Sequence, residues 1–242
     1  MLTNATVKLV KRLQQKKYRK EYGLFVVEGK KSIDEFFSNH FKVRHFFVNS
    51  QFHNEYPMAT LCTSADFKHM SGLKTPPEIL AVFEQKKHEL PEKITQTYFA
   101  LDNIKDPGNL GTIIRLADWF GMEHLFCNMD SVEVYNPKVI QASMGSLGRV
   151  KVHYVDLPSF LSKLECDIYG TFMQGENIYT TSFGSEGIIV MGNESNGISK
   201  DIEALCTKKI TIPQVPNRPT ESLNVAVASA IISGEIFRQK LV

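Results

Sequence analysis

The chain is poor in the residues that staple or metallate a small fold. Its four cysteines, Cys62, Cys127, Cys166 and Cys206, are spread over 242 residues and form no C-x-x-C pair. That spacing argues against a disulfide framework or a paired-thiolate zinc site, and leaves reduced thiols in a cytoplasmic protein as the expectation. The seven histidines are equally scattered, none at metal-ligand spacing from another His or a Cys, so no metal is expected. No apolar run approaches the ~20 residues that span a bilayer. The opening stretch MLTNATVKLVKRLQQKKYRK has no apolar core behind its charges, so no secretory signal is read there. Neither G-x-G-x-x-G nor G-x-x-x-x-G-K-[ST] occurs, which removes the dinucleotide fingerprint and the phosphate loop.

What is present is an ordinary globular balance, 43% hydrophobic and 22% charged, with enough chain to bury a core in one or two domains. The net charge of +2 hides an asymmetry. Residues 1–90 hold 15 Lys+Arg against 9 Asp+Glu, a net of +6, and residues 91–242 hold 13 against 17, a net of −4. Most of the excess comes from Lys8, Lys11, Arg12, Lys16, Lys17, Arg19, Lys20, Lys30 and Lys31. A basic arm on an acidic remainder suggests a polyanionic partner; the alternative is a solvated helix face.

Apolar spacing predicts one basic helix over residues 4–20, then a short strand in GLFVVEG (Gly23–Gly29) and a helix over Lys30–Asn39. Strands are expected at Val43–Asn49, Met58–Ser64 and Pro77–Gln85, with Thr63 or Ser64 capping a helix over Ala65–Met70. The polar, proline-bearing KKHELPEKITQ (Lys86–Gln96) reads as a linker, dividing the chain into domains of residues 1–90 and 91–242. Beyond it strands and helices alternate again, so both halves are α/β.

Three strand ends in the second half run into polar turns. In LDNIKDPGNLGTIIRLADWFG (Leu101–Gly121), Pro107-Gly108 makes a turn, Asn109 can cap a helix and Arg115 lies off its apolar set. Asn109 as a plain cap and Arg115 as a surface charge are the bland alternatives. In GIIVMGNESNGIS (Gly187–Ser199), Gly192 and Gly197 bracket Glu194 and allow close backbone approach to a ligand. In KKITIPQVPNRPTESLNVAVASAIISGEIFRQ (Lys208–Gln239), a strand breaks at Pro213 and a shaped loop carries Asn217, Arg218, Thr220, Glu221, Ser222 and Asn224 into a helix of small residues.

Together these stretches resemble the SpoU (TrmH-like) family of SPOUT-class RNA methyltransferases. Its first motif appears as Asn109-Leu110-Gly111 with Arg115, and its second as Gly192-Asn193-Glu194 with Gly197. Its third appears as Ile212-Pro213 with Ser222-Leu223-Asn224-Val225-Ala226-Val227-Ala228, all in the family's order over residues 96–240. Residues 5–85 look like the family's small substrate-binding domain, similar to ribosomal protein L30e.

The resemblance implies an α/β fold: a parallel-sheet SPOUT domain ending in a trefoil knot, preceded by the L30e-like domain. It implies transfer of a methyl group from S-adenosylmethionine to a ribose 2′-hydroxyl of rRNA or tRNA, and a homodimer packed through the knotted halves. By carry-over, Met191, Gly192, Gly197, Ile212, Pro213 and Leu223 hold the cofactor, while Arg115, Asn109, Glu194, Ser222 and Asn224 form the catalytic set. Arg115 is either a general base or a clamp on the hydroxyl and adjacent phosphate; an arginine base is awkward because its pKa exceeds about 12. The segment Val215–Glu221 is longer than the turn of many relatives, and Arg218 within it either reaches RNA or merely lengthens the loop. The competing readings are a non-catalytic RNA-binding protein on the same fold and, disfavoured by the missing glycine fingerprint, a nicotinamide-dependent oxidoreductase.

Overall fold

The computed structural model describes residues 2–241, and the chain gathers into two units. One takes in the chain up to Lys87 together with Glu133–Gly148; the other takes in His88–Val132 together with the chain from Arg149. A single cut near residue 90 does not describe this excursion of Glu133–Gly148 into the first unit.

In the first unit, α1 (Asn4–Arg12) and α2 (Lys16–Tyr22) lead into β1 (Leu24–Glu28), α3 (Lys30–Ser38), β2 (Val43–Val48) and α4 (Ser50–His53). Next come β3 (Thr60–Leu61), α5 (Ser64–Met70) and β4 (Ile79–Glu84). The sheet runs β1-β4-β2-β3, antiparallel except for β2 with β3. Strand alternation divides its core in two. Leu24, Val26, Leu80 and Val82 join Val10 and Leu13 of α1 and Phe67 and Met70 of α5 on one face. Phe25 points the other way, its ring 5.3 Å from Phe36 and 4.5 Å from Tyr135 of the returning segment.

Two expectations are corrected here. The basic stretch is two helices rather than one: α1 ends at Leu13, whose carbonyl oxygen accepts Nη1 of Arg19 at 2.8 Å. This break turns Arg19 inward to 2% exposure, where Nη2 meets Glu133 Oε2 at 2.6 Å. The strand expected over Met58–Ser64 shrinks to β3, because Thr63 and Asp66 close a capping box that starts α5.

The second unit begins with β5 (Thr97–Leu101), α6 (Pro107–Trp119) and β6 (His124–Asn128). After α7 (Pro137–Ser143), which lies in the first unit, come β7 (Lys151–Val155), α8 (Leu157–Leu161), β8 (Ile168–Asn177) and β9 (Gly187–Met191). The chain closes with α9 (Lys200–Glu203), β10 (Lys208–Thr211) and α10 (Val225–Lys240), which packs on α6. All pairings in the sheet β10-β8-β9-β5-β6-β7 are parallel. Strands β5 and β9 are buried at every position, as central strands covered on both faces must be. On β6 and β7, His124 Nδ1 and His153 Nε2 lie 2.8 Å apart in the buried interior. Burial, and next the neighbouring His124, push His153 down to about 4; burial also lowers His124.

Candidate active site

The strand order reverses beside β5: the chain builds outward through β6 and β7, then returns to lay β9 and β8 on the other side. A parallel sheet opens a crevice at such a switch, beyond the carboxyl ends of its strands. The loops leaving β5, β9 and β10 carry the three polar motifs. Asp102 N–H donates to Met191 O at 2.8 Å, extending the β5–β9 pairing to the lip of that crevice.

Helix α6 starts one turn earlier than Asn109. Asp106 is its N-cap, accepting Asn109 N–H at 2.8 Å, with Pro107 in the first turn. Asn109 as N-cap is therefore corrected, and its side chain is released for other work. Its Nδ2 donates to Glu194 Oε1 at 2.7 Å, and its Oδ1 accepts Nδ2 of Asn224 at 2.9 Å. Asn224 caps α10, its Oδ1 accepting the N–H groups of Ala226 and Val227 at 2.9 and 3.3 Å.

The direction of this relay is dictated from one end. Because the helix amides occupy Oδ1 of Asn224, only Nδ2 is left to face Asn109. Asn109 must then present Oδ1 to Asn224 and Nδ2 to Glu194, where a carboxylate can only accept. The three motifs, distant in sequence, are thus joined by one polarised chain of hydrogen bonds.

A second network, less visible in the sequence, shapes the loops beneath. Asn193 Nδ2 donates to Asn103 O at 2.8 Å, while its Oδ1 accepts Ser195 N–H and Asn196 N–H at 2.9 and 3.1 Å. Buried Asp102 accepts Ser199 N–H at 2.7 Å and Asn128 Nδ2 at 3.1 Å. Asn128 Oδ1 in turn accepts Asn103 N–H at 3.0 Å. Gly192 is demanded by this folding-back: a Cβ there would sit 2.3 Å from the Gly197 carbonyl carbon. Asp102, Asn128 and Asn193 are polar residues at buried strand ends, a signal that would have singled them out.

Arg115 projects from α6 into solvent and makes no hydrogen bond or ion pair among the described residues. Ser222 is exposed and likewise unbonded, so the structure does not draw it into the Asn224–Asn109–Glu194 relay. Met191 is buried at the end of β9, Ile212 is half-buried, and Pro213 and Leu223 are exposed, Leu223 at 47%. The loop from Pro213 to Asn224, including Arg218, lies exposed throughout, held across by Gln214 Nε2 donating to Thr220 O at 2.7 Å. None of its backbone N–H groups donates a hydrogen bond among the described residues. Open amides beside exposed Leu223 and half-buried Ile212 fit a ligand with an apolar ring and acceptor edge, such as adenine. No group of three or more His, Cys, Asp or Glu able to hold a metal occurs among the described residues, and no helix there is long and apolar enough to cross a membrane.

The basic arm of the first unit also sorts into two classes. Arg19 is sealed against Glu133, and Lys30 bridges Asp34 at 2.7 Å and Glu55 at 2.8 Å, so neither offers free charge. Lys8, Lys11, Lys16, Lys17 and Lys20 are exposed and form no ion pair among the described residues. Arg12, partly exposed, lies over the Tyr18 ring at 5.1 Å.

Residues 96–234 match the model of the SpoU rRNA Methylase family, and residues 4–81 match the MRM3-like substrate binding domain. A relative in Bacillus subtilis, the 23S rRNA (guanosine(2553)-2′-O)-methyltransferase RlmP, is 28% identical over 95% of this chain and 94% of its own. Among solved structures, one assigned to the TrmH family of RNA methyltransferases, from Porphyromonas gingivalis, superposes with a TM-score of 0.90 at 34% identity over 99% of each chain. AviRb of Streptomyces viridochromogenes, a SpoU methyltransferase solved with AdoMet, gives a TM-score of 0.88 at 24% identity over 99% of each chain, a likeness of fold.

Proposed function

The chain belongs to the SpoU rRNA methylase family, and on that premise we infer that it transfers a methyl group from S-adenosylmethionine to a ribose 2′-hydroxyl of RNA. Ribosomal RNA is the favoured substrate over transfer RNA, since the Bacillus relative named for that activity matches along nearly the whole of both chains. The observation that carries the reading is the Asn224–Asn109–Glu194 relay, which ties the three motifs together on the helix that carries the unpaired Arg115.

The bound cofactor supplies an electrophilic methyl group; the chain must supply position and a place for the hydroxyl proton. Met191, Gly192, Gly197, Ile212, Pro213 and Leu223 are the residues we assign to holding it, through backbone amides and apolar contact. Arg115 offers a fork of five donors with no partner among the described residues, suited to clamp a phosphate and the neighbouring hydroxyl. We read it as that clamp, since a guanidinium, which stays protonated in proteins, is a poor base. The relay presents Glu194 as an acceptor and fixes Asn109, and Ser222 joins only when substrate organises the exposed loop.

Four further parts belong to this reading. The unpaired lysines of α1 and α2 contribute to RNA binding through phosphate contacts. A homodimer is supported by apolar surface on α6 and α10: Trp119 is 83% exposed, and Phe237, 5.6 Å from Phe120, is 44% exposed. The trefoil knot is an inference from family membership, and a cytoplasmic setting is suggested by four free thiols. Calorimetric titration with S-adenosylmethionine, followed by transfer of labelled methyl to ribosomal RNA, tests the activity. Absence of cofactor binding would sink it; binding without transfer to any RNA would leave an RNA-binding protein on the same fold. Mapping 2′-O-methylated positions in RNA from cells with and without the protein identifies the nucleotide.

A further inference from the structure

A groove of about 660 Å³ opens in the first unit between α1, the end of α2 and the ends of β2 and β4. Its size falls within the ~300–1,000 Å³ typical of small-ligand sites. Leu9 and Leu24 give it an apolar lining, and Tyr22, 40% exposed, forms one side. That ring is not isolated. It stacks on Tyr18 with centroids 6.3 Å apart and planes 11° from parallel, and Arg12 and Lys17 lie over Tyr18 at 5.1 and 5.7 Å. A cation–aromatic–aromatic stack therefore ends on a ring that borders an open groove.

The charge around the groove is predominantly positive. Lys8, Arg12 and Arg44 line it against a single carboxylate, Glu84. Glu84 is already shared between Lys42 at 3.3 Å and Arg44 at 3.6 Å, so it is over-neutralised locally. His45 also lines the groove, and burial, then Arg44, lower its pKa, favouring a neutral imidazole able both to donate and to accept. An apolar lining, a stacked ring end, a bifunctional polar group and surrounding cations match the parts of a nucleotide: base face, base edge and phosphates.

We propose that this groove seats one unpaired nucleotide of the RNA substrate, its base against Tyr22 and its phosphates on Lys8, Arg12 and Arg44. The proposal rests on the reading of the protein as an RNA methyltransferase and gives the first unit a specific role, that of picking out a base splayed from the helix. A duplex cannot offer a base face to a ring inside a groove, so the site discriminates by single-strandedness.

The test uses the full chain and a short single-stranded RNA carrying one 4-thiouridine, beside a duplex of the same sequence. The single strand is expected to photo-crosslink to peptides containing Tyr22 or His45. Tyr22→Ala is expected to weaken its binding about tenfold, the scale of one lost base stack, and Tyr22→Phe to restore it. Arg44→Ala lowers the salt slope as well as the affinity. Cofactor titration of each variant, expected to match the parent, reports that the second unit is intact. Crosslinks confined to other peptides, equal binding of the duplex, or displacement of the RNA by polyglutamate as readily as by competing RNA would overturn the proposal. If Tyr22→Ala binds RNA like the parent while cofactor binding and methyl transfer persist, the groove assignment fails and the activity stands. If the groove crosslinks but no RNA is methylated, the activity fails and the groove stands.

Discussion

Arg19 in the first unit and Arg115 in the second are the same residue type put to opposite uses. Arg19 sits on α2 at 2% exposure, held by Glu133 and by the carbonyl of Leu13. Arg115 sits exposed on α6 with no hydrogen-bond or ion-pair partner among the described residues. Taking a guanidinium out of water is costly, so a buried one must have its donors filled by the fold. An exposed one keeps its donors for whatever arrives. The difference separates charge that holds a structure from charge that meets a ligand.

Replacing each arginine by alanine should therefore give mirror-image outcomes. Arg19→Ala leaves Glu133 desolvated without its cation and should cost about 3–5 kcal/mol of stability, read by urea unfolding. The returning segment should loosen with it, since Glu133 begins that segment. Arg115→Ala should change stability by less than about 0.5 kcal/mol yet slow methyl transfer roughly 10²–10³-fold, as for loss of one well-placed donor in a reaction site. Cofactor affinity should be unchanged. A stable Arg19→Ala protein, or an active Arg115→Ala protein, would erase the distinction.

The second unit has its own buried polar pair, and it is kept neutral. His153, lowered to about 4 mainly by burial, is largely uncharged in the folded state at pH values where an unfolded histidine is protonated. Between about 6.5 and 4 the unfolded chain binds the extra proton, so stability rises with pH and is lost as pH falls through that window. The loss reaches at most about 3 kcal/mol. Unfolding curves across that range, compared with those of His153→Gln, check it: the variant should show a flatter dependence.

Much of the fold and of the site is legible in the sequence, for identifiable reasons. The buried parallel strands β5 and β9 announce themselves as TYFAL and GIIVM, because strands covered on both faces read as near-continuous apolar runs. The motif residues stand out as polar clusters at strand ends. Arg19 does not stand apart from its basic neighbours, since its burial depends on Glu133, more than a hundred residues away. For the same reason the packing of Tyr135 on Phe25 places Glu133–Gly148 in a unit that linear spacing cannot reveal. Asn109 looks like a cap because local chemistry favours it there; Asp106 three residues earlier starts the helix instead, accepting the N–H of Asn109 itself. Asp102 is legible as a polar residue at the end of an apolar strand, but its partner, the Ser199 amide, lies 97 residues away and cannot be read from local spacing.

Asn224 stands between the two uses, since it both holds a helix and faces the site, and two variants separate the parts. Asn224→Ala removes the acceptor for Ala226 and Val227 N–H as well as the donor to Asn109. It should cost about 1 kcal/mol through the lost cap and also slow methyl transfer. Asn224→Asp keeps an oxygen for the helix amides, and aspartate caps about as well as asparagine, so stability should hold. It nevertheless removes the N–H that fixes Asn109. If Asn109 turns its amide to donate to the new carboxylate, it presents an oxygen to Glu194, and two acceptors then face each other. Either way the chain of bonds from α10 to Glu194 is broken while the cap survives. Methyl transfer by Asn224→Asp should thus fall at least as far as in Asn224→Ala, with the unfolding midpoint near that of the parent. Full activity in Asn224→Asp would mean that the helix cap alone, and not the relay, is what the site requires of this residue.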